Sequence, residues 1–310
     1  MSLTTDREGY IRYPAKMEDR KALVALIVTV LIWGSSFAAV KIVLGEVTPL
    51  GLSFLRSVVA TFALVLLLGF NEGFAKLRRA LREKFVYFIV LGVAGVVLFN
   101  IFQNMGIQYT SSGIASVLLA TNPLFVLVLG TVFLQERINR NKSIGMTFGF
   151  VGVVIIMLGG KSIVGFLISS SFIGNILVLC SALCWGLYVI MNKKVLQRYS
   201  PLLLTASAFI FGSLVLFLLC LSSGDFPAIM SLSMTSWLLV IYLGFVSSGV
   251  AYFLWNYALN KTEASKASVF LFLIPVVAIL LGKVILAERI TFSIAAGGGL
   301  VLSGIYLIQR

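Results

Sequence analysis

No histidine occurs anywhere in the 310-residue chain. That excludes an imidazole proton relay and a histidine metal site. Aspartate and glutamate together number only 11, and every one sits in a tail, in a loop or at the end of an apolar run. A proton-carrying carboxylate at mid-membrane depth is therefore not expected. No P-loop sequence is present, which excludes ATP hydrolysis of that kind, and no nucleophile–base–acid constellation suggests an enzyme. The chain is read as a non-enzyme with no cofactor and no metal. The three cysteines, Cys180, Cys184 and Cys220, all lie within apolar runs and are read as small core residues, not disulfides or ligands. Charge is scarce overall, at 11% of residues, where a soluble domain carries about a quarter.

What is abundant is apolar length. Hydrophobic residues make up 60% of the chain, the mean hydropathy is +1.07, and runs of about twenty apolar residues recur throughout, each long enough to cross a bilayer as a helix. A β-barrel would show short alternating segments instead. The fold class expected is an all-α polytopic membrane protein with ten spans, near 22–44, 50–70, 85–107, 112–134, 142–159, 172–192, 202–222, 236–258, 265–286 and 292–308. The first 21 residues are polar without a small-residue cleavage site, so no removable signal peptide is expected. The segment 70–84, with Lys76, Arg78, Arg79, Arg82 and Lys84, is expected to lie along lipid headgroups. With both termini cytoplasmic, 19 of the 24 Lys and Arg fall on the inner side, as the positive-inside rule demands. This charge is thus read as orientation in a cell membrane, not as nucleic-acid binding. The partners expected are lipid and a small-molecule substrate, with the chain a monomer or weak homo-oligomer.

The phrase "VFLQERI" at 132–138 returns as "VILAERI" at 284–290. The same 152-residue shift pairs Trp33-Gly34 with Trp185-Gly186, Lys41 with Lys193, Pro49 with Pro201, Gly92 with Gly244, Asn104 with Asn256, Pro123 with Pro275 and Gly152 with Gly304. Between Ala115 and Ile138, 12 of 24 positions match without a gap, which marks an internal repeat. The expected organisation is an N-tail at 1–21 and two five-span repeats at 22–159 and 172–308. Five is odd, so the second copy enters from the opposite face. Inverted repeats mark secondary transporters with a site near the midplane between the halves. Glu136-Arg137 and Glu288-Arg289 then end spans four and nine on opposite sides, and Asn139 and Thr291 are placed to cap spans five and ten. The charged pairs are helix-end anchors, or else a salt bridge or gate latch.

"LIWGSSFAAVK" at 31–41, "SVLLATNPLFVLVLGTVFLQERI" at 116–138 and their counterparts resemble the two tandem repeats of the ten-helix drug/metabolite transporter superfamily, the EamA-domain exporters. The resemblance covers nearly everything from about 22 to 308. It implies export of amino acids and other small metabolites, with sugar phosphates or nucleotide sugars carried by more distant relatives. It also implies a central cavity lined largely by spans 1, 3, 4, 6, 8 and 9, with spans 5 and 10 as scaffold.

Polar residues inside the spans mark a compatible site. Asn100, Gln103, Asn104 and Gln108 share one helical face. The repeat places Tyr252, Trp255, Asn256 and Asn260 on the matching face. These residues line a cavity or glue packed helices together. Trp33 and Trp185 fall mid-helix, away from the interface where Trp usually anchors; with Ser36, Tyr188 and Asn192 they can wall a midplane pocket. Asn122-Pro123 and Pro275 interrupt spans four and nine, giving a hinge, exposed carbonyls or a static kink. Arg56, alone well inside a first-half span, is read first as snorkelling or structurally paired and second as a fork for a substrate carboxylate.

The residues expected to bind substrate are therefore Trp33, Ser36, Asn100, Gln103, Asn104, Asn122, Trp185, Tyr188, Asn192, Tyr252, Trp255 and Asn256. Those expected to gate or shape the path are Pro123, Glu136, Arg137, Pro275, Glu288 and Arg289. The function expected is a secondary transporter exporting amino acids or similar amphipathic solutes by alternating access, running down the substrate gradient. A multidrug or sugar/nucleotide-type transporter of the same fold, or a non-transporting receptor or scaffold, is the alternative.

Overall fold

A computed structural model of the chain describes residues 4–5, 11–12, 19–134, 140–158, 170–288 and 290–309. Among the described residues ten long helical segments follow one another: α1 Arg20–Val43, α2 Pro49–Asn71, α3 Phe74–Tyr109, α4 Ser112–Leu134, α5 Arg140–Leu158, α6 Ser170–Val195, α7 Pro201–Ser223, α8 Met234–Lys261, α9 Ala264–Leu286 and α10 Phe292–Gln309. Eight are long and apolar enough to cross a membrane; α5 and α10 carry shorter apolar stretches, Ser143–Gly152 and Phe292–Gly304. Before them, Thr4–Thr5 pairs antiparallel with Ile11–Arg12.

Local chemistry sets the helix ends. Asp19 caps α1, accepting from Lys21 N at 2.9 Å and Ala22 N at 3.3 Å. Thr48 before Pro49 and Ser200 before Pro201 make the same cap at equivalent repeat positions, accepting from Gly51 N and Leu203 N at 3.0 and 3.1 Å. Proline fits the first helical position, where no backbone donor is needed. The third helix starts at Phe74, not at 85 as the apolar run suggests, and breaks at Lys84 (φ −138°, ψ 36°). Its first turns bury Leu77 and Ala80 and expose the five basic residues, an amphipathic pattern suited to lipid headgroups.

The packing repeats itself under the 152-residue shift. Helix α1 packs on α9 and α8, and α6 correspondingly on α4 and α3. The contact of α2 with α8 matches that of α7 with α3. Two pairs are their own equivalents, α2 with α7 and α5 with α10, so a pseudo-two-fold axis runs between them. Thr61 and Ser213, themselves 152 apart, share a 2.6 Å hydrogen bond on that axis. The end lysines match as well. Lys41 Nζ donates to Ile107 O at 2.7 Å and Thr110 O at 2.8 Å; Lys193 Nζ donates to Leu259 O at 2.7 Å and Thr262 O at 2.5 Å. Each cation sits where a helix C-terminus leaves carbonyls unpaired.

In lipid, helices associate by close contact more than by expelling water, and two glycines show it. A Cβ on Gly92 would lie 2.6 Å from Ala208 O, and one on Gly244 would lie 3.0 Å from Arg56 O and press into Val59. Gly92 immediately precedes the π-helical stretch Val93–Leu98 and Gly244 lies within the stretch Tyr242–Val250, whose widened turns redirect the rest of each helix. Large apolar side chains such as Phe62, Phe70 and Val86 are exposed on the outside, where acyl chains cover them.

Candidate functional site

Trp33 and Trp185 meet at the centre with ring centroids 5.0 Å apart and planes at 88°, an edge-to-face pair. Tyr252 stands 5.6 Å from Trp33 and 5.3 Å from Trp185; Trp255 stands 5.7 and 5.6 Å from the same rings. Phe99 closes the group at 5.2 Å from Trp185. Trp33 Nε1–H donates to Ser247 O at 3.0 Å and the Tyr252 hydroxyl to Gly95 O at 3.3 Å. The indole N–H groups of Trp185 and Trp255 are buried and meet no acceptor among the described residues.

Against this cluster lies a cavity of about 20 Å³, room for about one water molecule. Six of the twelve residues expected to bind substrate line it: Trp33, Ser36, Gln103, Asn122, Trp185 and Tyr252. The others line no part of it. Asn100 donates to Val96 O at 2.7 Å. Asn104 joins α3 to α2 through Ser53 Oγ at 2.9 Å, and Asn256 joins α8 to Thr205 of α7 at 2.9 Å and to the Tyr188 hydroxyl at 2.9 Å. Asn192 donates to Tyr188 O at 3.1 Å, while Tyr188 and Trp255 back the cluster as the second layer behind Trp185. The two equivalent asparagines are thus placed as staples between helices.

The broken helices meet the cavity. In α4 the helix stops at Leu119 and resumes at Asn122; in α9 a 3-10 turn spans Phe270–Leu273. Pro123 and Pro275 start the second half of each. Leu119, Asn122, Leu271 and Ile274, all beside these breaks, line the cavity, and the buried Asn122 Oδ1 meets no donor among the described residues. Phe37, Phe99 and Arg56 complete the lining. Of the two arrangements expected first for Arg56, snorkelling and structural pairing, only the second is seen. Arg56 is 3% exposed, so it does not snorkel. Its Nε donates to Ser248 Oγ at 2.9 Å and its Nη2 to Ser247 Oγ at 3.4 Å.

Beyond the cavity, Glu288 joins the end of α9 to the start of α4. Ser112 N, Ser112 Oγ and Gly113 N donate to its carboxylate at 2.9, 2.8 and 3.1 Å. The anion therefore sits on the N-terminus of α4 and not on that of its own following helix, α10, which Thr291 caps through Ile294 N at 3.3 Å. Positive φ at Ala287 (52°) turns the chain back to make this possible. On the same end Glu46 accepts from Ser233 N, Ser233 Oγ and Ser236 Oγ at 2.8, 2.8 and 2.7 Å. These donors, the Ser233 N–H first, hold its carboxyl below the ordinary carboxylate value. At the opposite end Arg198 and the Tyr199 hydroxyl contact Glu83 at 2.7 and 3.0 Å. Glu136, Arg137 and Arg289 lie outside the described residues, as does Asn139.

Both halves match one description, the EamA-like transporter family, over residues 20–158 and 172–310. The chain belongs to that family. As an EamA-like protein it is a multi-pass membrane transporter of a small molecule, a metabolite exporter and not an enzyme. It is 35% identical over 297 residues to an uncharacterized transporter of Archaeoglobus fulgidus, covering 94% of this chain and 99% of that one. It is 28% identical over 294 residues to a probable terminal-alkyne amino-acid exporter of Streptantibioticus cattleyicolor, covering 95% of each. A crystal structure at 17% identity superposes with a TM-score of 0.67 over 92% of this chain and 95% of that one, which shows the shared fold. Within this EamA-like pair of repeats, Arg56 was detectable as a lone charge inside an apolar run. Phe37 and Phe99 had no such signal, since an aromatic in a span reads the same toward lipid, core or cavity.

Proposed function

We propose that this protein exports amino acids and similar amphipathic metabolites across the cell membrane by alternating access, with both termini cytoplasmic. The observation that carries the reading is the aromatic cavity on the pseudo-two-fold axis. It joins broad apolar faces to buried polar atoms without protein partners, Trp185 Nε1 and Asn122 Oδ1. A buried polar atom left unpaired is costly, and a polar cargo that fills the cavity removes that cost. The cavity is smaller than any amino acid, so cargo enters only when the walls part. The hydrogen-bonded ends on either side of it are the contacts that would yield in turn. The likeness to a relative named as an amino-acid exporter supports the same class.

The test is counterflow in proteoliposomes against a panel of amino acids, sugars and hydrophobic drugs. Saturable exchange of amino acids is the expected result; exchange of drugs or sugars alone would overturn the substrate class. Single cysteines at Gln135 and Ala287, in a chain without native cysteines, should label from opposite faces of the membrane.

A further inference from the structure

We propose that Arg56 is the receptor for a carboxylate on the cargo, so that the solutes carried are monocarboxylates, α-amino acids foremost, rather than neutral or cationic drugs. The assignment rests on the exporter reading above and adds the group that the protein recognises.

Among the described residues lining the cavity, Arg56 is the one with a charged side chain. It is buried, yet both of its hydrogen bonds go to neutral serine hydroxyls. A guanidinium has five N–H donors in a planar fork that matches a carboxylate. Ser248 takes the Nε edge and Ser247 one Nη2 contact, the two side-chain hydrogen bonds of Arg56 among the described residues. No described carboxylate pairs with it. An intramembrane cation without a counter-ion is costly, and such residues mark substrate pathways.

The seat of the arginine is rigid. Its own backbone carbonyl lies against Gly244, and its two serine partners stand on the π-helical stretch Tyr242–Val250 of α8. The neighbours in the cavity complement the rest of an amino acid. Asn122 Oδ1 is a buried acceptor without a donor, available to an ammonium, and the aromatic cluster faces an apolar side chain. One cation suits one negative charge. A phosphate dianion would call for several basic groups, and a cationic drug would meet like charge in a medium that screens poorly.

The experiment uses the full-length protein in proteoliposomes and four matched pairs: leucine, phenylalanine, threonine and glutamine, each against its α-carboxamide. The carboxamide keeps the ammonium and side chain and removes the negative charge. Wild type is expected to show counterflow of the acids, with each carboxamide competing at least about tenfold more weakly. Arg56→Lys should keep that preference with weaker competition, and Arg56→Gln should lose it. Equal competition by acid and carboxamide in wild type would overturn the assignment while leaving the exporter intact, whether or not either variant folds. No counterflow with any of the four acids would overturn the amino-acid reading and this assignment with it. A folded Arg56→Gln protein that still prefers acids would also refute the role.

Discussion

Replacing Glu288 by glutamine should loosen the end of the molecule where α9 meets α4. The side chains are nearly the same shape, so the change is one of charge. In the native protein three donors converge on the carboxylate, from Ser112 N, Ser112 Oγ and Gly113 N, at 2.8–3.1 Å. Glutamine offers one carbonyl oxygen where the carboxylate offers two, and its NH2 faces donors instead of acceptors. A hydrogen bond to a charged acceptor contributes about 1 kcal/mol more than a neutral one, and a negative charge at a helix N-terminus adds about 0.3–1 kcal/mol. Because the site is half-buried, part of this is screened. A net loss of about 2 kcal/mol is expected, or about 30-fold in the ratio of closed to open at that end. The readout is the rate at which a membrane-impermeant maleimide labels Ser36→Cys, a cavity position, in a chain freed of Cys180, Cys184 and Cys220. Labelling from the Glu288 side should accelerate by about that factor. Gly282→Ala should act in the same direction, since its Cβ would lie 2.9 Å from both Glu288 Oε2 and Ser112 Oγ. An unchanged labelling rate in both variants, at wild-type abundance, would refute the idea that this carboxylate holds the end shut.

Asn104→Leu and Asn256→Leu each remove a staple between helices. Each should lower thermal stability by about 1 kcal/mol, while flux per folded molecule in proteoliposomes stays near wild type; selective loss of flux would return these amides to the substrate path. Glu46 gives a pH dependence with a definite sign. Its folded-state pKa is depressed from 4.5, so its stabilising contribution is complete above the unfolded value and is lost as pH falls through the folded one. Thermal melts should show wild type and Glu46→Gln differing by a constant amount between about pH 6 and 8 and converging in acid; a difference that grows in acid would contradict this. With no histidine and no carboxylate among the cavity-lining residues, an imposed pH gradient should not accumulate substrate in proteoliposomes. Uphill uptake abolished by Glu136→Gln or Glu288→Gln would make the repeated glutamate the coupling group.

The spans, the repeat and the inverted halves were legible because composition and a period of 152 survive in the chain itself. So was the equivalence of Lys41 and Lys193. What those lysines hold was not legible, because their partners are backbone carbonyls, which carry no residue-type signature. The stripe Asn100–Gln103–Asn104 was visible as one helical face, but a face does not say what lies opposite. Gln103 meets the cavity, Asn104 meets Ser53, and only the packing of α2 on α3 separates the two. Glu288 was expected to anchor its own helix end or else to act as a salt bridge or latch; its docking on Ser112 is a contact over 176 residues, beyond any local rule. Arg56 stood out as a charge, but depth and snorkelling are decided by rotamer and by where Ser247 and Ser248 lie.

The scaffold reads the same from both ends, and its lining does not. Lys41 and Lys193 grip equivalent carbonyls, yet Asn100 and Gln103 stand where the other half has Tyr252 and Trp255, and Arg56 stands where it has Ala208. Two identical halves would make the state open to one side the two-fold rotational twin of the state open to the other, equal in energy by construction. Breaking chemical identity while keeping geometric identity lifts that degeneracy. For a carrier that alternates between the two faces, one scaffold motion would serve both directions, while the unequal linings would make the two open states unequal in energy.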